Sequence, residues 1–119
     1  MTLDNATVSR AICTATPNKA TLKVVKQVVN GTGGTAVPSD FQLYLSQSGS
    51  TVVGSQKPGS ASGVSYTLSG GTYSITEAVN TNYTKSYSGD CSATGSIVLA
   101  IGASKTCTVI NTFVKAPIG

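Results

Sequence analysis

Thr21-Leu22-Lys23-Val24-Val25-Lys26-Gln27-Val28-Val29 is the stretch on which the fold turns. It is rich in β-branched residues, follows Pro17-Asn18, and runs into Asn30-Gly31-Thr32-Gly33-Gly34. This is the pattern of a strand closed by a turn. No helix pattern follows that glycine-rich turn, so it is not read as a phosphate loop. Strand side chains alternate between faces, so Leu22, Val24, Lys26 and Val28 share one face. Lys23, Val25, Gln27 and Val29 share the other, and phase alone leaves open which face is the core.

Similar short runs recur along the chain. Asp40 to Ser46 places Phe41, Leu43 and Leu45 on one face, and Thr51 to Val53 offers a brief strand within a polar connection. Gly63 to Leu68, Thr72 to Val79 and Tyr83 to Ser88 follow. Gly95 to Ile101 and Lys105 to Val114 read as a final hairpin around Gly102-Ala103-Ser104. About seven strands joined by Gly, Ser and Asn turns predict an all-β, antiparallel, Ig-like sandwich. Residues 1–19 read as an N-terminal extension and 20–119 as the domain. Within the extension Ala6, Val8, Arg10 and Ile12 alternate with Thr7, Ser9, Ala11 and Cys13, a weak strand pattern suited to a donor strand or docking segment.

Composition removes whole classes of function. The chain of 119 residues has no His and only four acidic residues, one of them Glu. An imidazole base, a Ser–His or Cys–His nucleophile and the usual zinc site are therefore out of reach. No cofactor or metal site is expected, and no turnover enzyme. The net charge of +4 comes from scarce acids, with lysines spread singly and few aromatics, so no nucleic-acid surface is expected. The longest apolar run, Ile97 to Ala103, is too short to cross a membrane.

The informative residues are polar ones in core phase. Lys26 lies with Leu22 and Val24, Glu77 with Tyr73 and Ile75, and Asn111 with Cys107, Val109 and Phe113. A strand lysine is ordinarily exposed, an Asn near a strand end ordinarily forms a turn, and a lone Glu is ordinarily solvated. Their joint placement on first, middle and last strands supports a different use. Burial favours the uncharged forms of an amine and an acid. A neutral Lys26 amine is a nucleophile toward the Asn111 carboxamide, with Glu77 polarising the carbonyl and moving protons. Ammonia leaves, and an isopeptide bond remains after a single self-crosslinking event.

Gly71-Thr72-Tyr73-Ser74-Ile75-Thr76-Glu77, followed by Tyr83, resembles the G-x-Y-x-x-x-E…Y segment of collagen-adhesin B-type (CnaB-like, prealbumin-like) domains. Leu22-x-Val24-x-Lys26 is similar to their lysine-bearing first strand and Val109-Ile110-Asn111 to their last. The resemblance spans about residues 20 to 114. Asn80-Thr81-Asn82 stands where the family often has Pro and Gly. The resemblance implies a seven-stranded sandwich with a Lys26–Asn111 isopeptide bond promoted by Glu77, in a prokaryotic surface adhesin or pilin.

Three cysteines without a C-x-x-C remain. Cys91 and Cys107 flank the expected final hairpin and are paired here as a disulfide, in keeping with an oxidising extracellular setting. Three reduced thiols would be the cytosolic alternative. Cys13 is then unpaired or bonds another chain. Asn5, Asn30 and Asn82 sit in glycosylation sequons, which chance explains in so Ser- and Thr-rich a chain. The expected function is that of an extracellular filament or pilus subunit on a prokaryotic surface, assembled by N-terminal strand donation into a homopolymer. The alternative is a stalk or ligand-binding module of a larger adhesin, with a host or extracellular-matrix molecule as partner.

Overall fold

The computed structural model describes residues 19–78 and 81–114. Among the described residues nine strands form two sheets: β1 (Lys19–Val29), β2 (Gln42–Gln47), β3 (Ser50–Thr51), β4 (Lys57–Pro58), β5 (Val64–Ser69), β6 (Gly71–Glu77), β7 (Tyr83–Gly89), β8 (Ser96–Leu99) and β9 (Ser104–Phe113). One sheet has the order β5-β1-β9-β7, and the other β3-β2-β6-β8, with β4 also paired to β2. The all-β sandwich expectation holds. β3 overlaps the brief strand expected at Thr51 to Val53 only at Thr51, and the unexpected β4 is two residues long, too short to show alternation. Of the extension expected at residues 1–19, with Cys13 and Asn5, all but Lys19 lies outside the described residues, and Lys19 opens β1.

β1 is the spine of its sheet. Ala20, Leu22, Val24 and Lys26 are buried, while Thr21, Lys23 and Gln27 are exposed. Each large aliphatic side chain so buried contributes about 1.5–3 kcal/mol of transfer free energy. β1 pairs antiparallel with β5 and parallel with β9, the latter in register from Thr21 beside Ser104 to Val29 beside Thr112. First and last strands are thus parallel neighbours, so Lys19 and Phe113 lie at opposite poles of the domain. Facing them, Leu43, Leu45, Tyr73, Ile75, Ile97 and Leu99 complete the apolar core.

The expected final hairpin is not formed. β8 pairs antiparallel with β6, whereas β9 pairs with β1 and β7. Ile97 and Leu99 on one strand and Cys107 and Val109 on the other are all buried in the same core. They meet face to face across the sandwich, not edge to edge. The connection turns at Gly102, whose φ of 85° suits a residue without a Cβ. It is fastened to β1 by Gly102 N–H donating to Lys19 O at 2.7 Å.

Candidate functional site

Three strands change character at one level of the core. On β1 the buried row Leu22, Val24 is followed by Lys26, on β6 Tyr73, Ile75 by Glu77, and on β9 Cys107, Val109 by Asn111. The exposures of Lys26, Glu77 and Asn111 are 0%, 6% and 2%. Lys26 Nζ lies 3.4 Å from Glu77 Oε2, and Asn111 Nδ2 donates to Glu77 Oε1 at 2.5 Å. One carboxyl therefore bridges amine and carboxamide from the opposite sheet. The amine also makes a long contact of 3.5 Å with Val109 O and sits 4.3 Å from the centre of the Phe41 ring.

Desolvation is the main influence on the amine, and it pushes the Lys26 pKa below the ordinary lysine value. Glu77 opposes that shift by its charge and hydrogen bond, and Lys85 reinforces it weakly. Asn111 Oδ1 is buried without a hydrogen-bond partner among the described residues. An unpaired amide oxygen in a dry site costs on the order of 1–3 kcal/mol. This corner is thus unfavourable as a purely structural element.

Two further features shut water out. Phe41, Tyr83 and Phe113 form a ladder of edge-on contacts, with ring centres 5.3 and 5.4 Å apart. Tyr83 O–H donates to Asn30 Oδ1 at 2.5 Å, Asn30 Nδ2 donates to Ala36 O, and Ala36 N–H donates to the Tyr83 phenolic oxygen. Gly59 presses on the stem of Lys26. A Cβ there would lie 2.8 Å from Lys26 Cγ and 2.5 Å from Pro38 O.

A family model, SpaA_2, described as a prealbumin-like fold domain, matches residues 17–109, most of the chain. The chain belongs to this family. No curated protein matches it. The match takes in Lys26 and Glu77 and stops short of Asn111, so the third member of the cluster is defined by the geometry of β9.

Alternation in the sequence brings Lys26, Glu77 and Asn111 of this prealbumin-like domain to one core face, where Glu77 touches both of the others. Alternation misses two neighbours. Phe41 was read only as core, and its place beneath an ammonium depends on how β2 packs on β1. Gly59 ends a Gly54-x4-Gly59 spacing that lacks the lysine a phosphate loop needs. Its use is to let the chain pass against a buried side chain, a role signalled at most by Pro58-Gly59. Cys91 and Cys107 form a disulfide with Cα atoms 5.4 Å apart, tying the end of β7 to β9. The Asn30 amide is engaged on both sides in the loop it braces, and Asn82 O accepts from Val114 N–H. Among the described residues no three potential metal ligands cluster, and no helix is long and apolar enough to cross a membrane.

Proposed function

We propose that this prealbumin-like domain is a structural subunit of an extracellular filament of pilus type on a prokaryotic surface, locked by a Lys26–Asn111 isopeptide bond and the Cys91–Cys107 disulfide. The observation that carries this reading is the buried contact of Glu77 with both Lys26 and Asn111. A site this unfavourable is retained readily if it is consumed to make a covalent bond. In the step proposed, Lys26 Nζ bonds to Asn111 Cγ and the Cγ–Nδ2 bond breaks. A proton passes from the amine through Glu77 to Nδ2, and ammonia leaves. Because Glu77 faces Nδ2, its part is to protonate the leaving group, more than to polarise the carbonyl as first expected.

The mechanical argument follows from topology. Tension applied at the two poles loads the β1–β9 ladder in shear, along its length, so the paired residues must yield together. A covalent tie between Lys26 and Asn111 then carries the load past that ladder. No turnover, metal or cofactor is part of the proposal.

Intact mass under full reduction tests it. We expect a deficit of about 17 Da, one ammonia, with a branched Lys26–Asn111 peptide on mapping. Glu77→Gln, which keeps the shape and loses the proton carrier, should retain full mass. Full mass in the unaltered protein would remove the mechanism and leave the fold. The same deficit in a chain that never self-associates would favour the stalk-module alternative.

A further inference from the structure

The outer edge of β1 is only partly covered. β5 pairs with it from Lys19 to Val24 and ends there. Thr21 N–H donates toward the β9 side, to Ala103 O, whereas Lys26 N–H donates away from it, to Ser60 O at 2.9 Å. Backbone groups alternate along a strand, so Val28 turns its N–H and C=O, and Lys26 its C=O, to the side away from β9. No described residue pairs with Val28 there. Alongside runs a groove of about 540 Å³, between Val25 and Val28 on β1 and the wall formed by Ala36, Val37 and Pro38. Val29 and Val37 are 40% and 51% exposed.

We propose that this groove accepts residues 6–13 of a second copy of the chain as an added, short strand. The inference rests on the filament reading and names the surface it needs. Unpaired backbone beside apolar side chains is the arrangement that strand addition satisfies. Polarity selects the donor. The groove lies at the Phe113 pole, and the segment preceding Lys19 leaves the opposite pole. In a head-to-tail column that segment of one copy therefore enters the groove of the next, running parallel to β1. The chain's own segment would have to double back across β5, which occupies the edge between Lys19 and Val24.

Size and chemistry agree. Lys26 to Val29 offers about 10–13 Å of edge, so about four of the eight donor residues pair there, chiefly beside Val28. Ala6, Val8 and Ile12 give the donor one apolar face. Arg10, which interrupts that face, meets an acid at the rim. Asp40 is exposed, and its Oδ2 accepts from Val37 N–H at 2.9 Å. With Ala6, Val8 and Ile12 turned inward, Cys13 falls on the outward face, the one that bears Gln27 and Val29 on β1.

Cysteine trapping in the full chain tests the surface. Gln27→Cys and Val29→Cys change exposed side chains, and Ser104→Cys, exposed at the other pole, is the control. On oxidation and peptide mapping, Cys13 should join the thiol introduced at position 27 or 29 of another chain. That link should exceed the one to the thiol at position 104 by at least roughly tenfold. Ile12→Asp should abolish it. A link within one chain, equal trapping at position 104, or only Cys13–Cys13 bonds would overturn the proposal. Light scattering on the unaltered protein separates the two failures. Polymers without the Cys13 link at this edge refute the groove alone, while a chain that stays monomeric refutes the filament as well.

Discussion

The two ends of the sandwich core are built on opposite principles. Toward the Lys19 pole, Ala20, Leu22, Tyr73, Ile97 and Leu99 form an apolar half stabilised by burial. Toward the Phe113 pole, Lys26, Glu77 and Asn111 take over the inward faces of β1, β6 and β9. Apolar packing is additive and tolerant, because each side chain contributes with little regard to direction. The polar half is directional: removing one partner strands the others without water. The first half suits folding, and the second suits a single chemical event after folding.

The largest effect expected from disturbing either half is on the polar one. Lys26→Met should abolish the ammonia-loss mass and lower stability by about 4–5 kcal/mol, by analogy with a cross-link closing a loop of nearly the whole domain. At about 4–8 °C per kcal/mol, that is a drop of roughly 20 °C or more in Tm by calorimetry. An unchanged Tm would sink the claim that the polar half is a lock.

In the apolar half, Leu22→Ala should cost about 2–5 kcal/mol in denaturant unfolding. The mass deficit should persist, since the Lys26 contacts lie elsewhere. Loss of the deficit in this variant would mean that the halves are not independent. Cys91→Ala opens a disulfide of sequence separation 16 and should cost about 3 kcal/mol, again with the deficit retained under reduction.

A smaller effect is expected at Gly59. Gly59→Ala puts a methyl against Lys26 Cγ and Pro38 O, so the amine should be displaced and cross-linking slowed in a time course of freshly folded protein. A rate equal to that of the unaltered chain would show that the Lys26 stem has room to move.

The smallest effect is a pH dependence confined to the polar half. In Asn111→Ala the amine stays free, with its pKa in the folded state below that in the unfolded state. Between those two values the unfolded chain binds the extra proton, so stability should rise with pH across that window up to the ordinary lysine range. Lys26→Met combined with Asn111→Ala should lack this rise in pH-dependent chemical denaturation. The cross-linked protein should lack it too, because an amide nitrogen does not titrate there.

How much was legible in the sequence differs by level. Alternation along 21–29, 71–77 and 105–113 was enough for strands, for the sandwich class and for the phase of Lys26, Glu77 and Asn111. Cys91 and Cys107 were paired correctly, although the hairpin expected between them does not exist. That error has a physical source. A short turn between two strands looks the same whether they pair edge to edge or cross to face each other, and only the partners available on β6 and β1 decide.

Taken alone, the amino-acid sequence settles the periodicities: where strands run, and which residues share a face. Which face of β1 turns inward follows from packing. Both faces carry valines and a lysine, and β2 and β6 cover only the face bearing Leu22, Val24 and Lys26. The parallel pairing of β1 with β9, the seat of Lys26 over Phe41 and the close passage of Gly59 arise in the same way. Each depends on contacts between segments far apart in the chain, and local pattern carries no record of which distant strand will lie alongside.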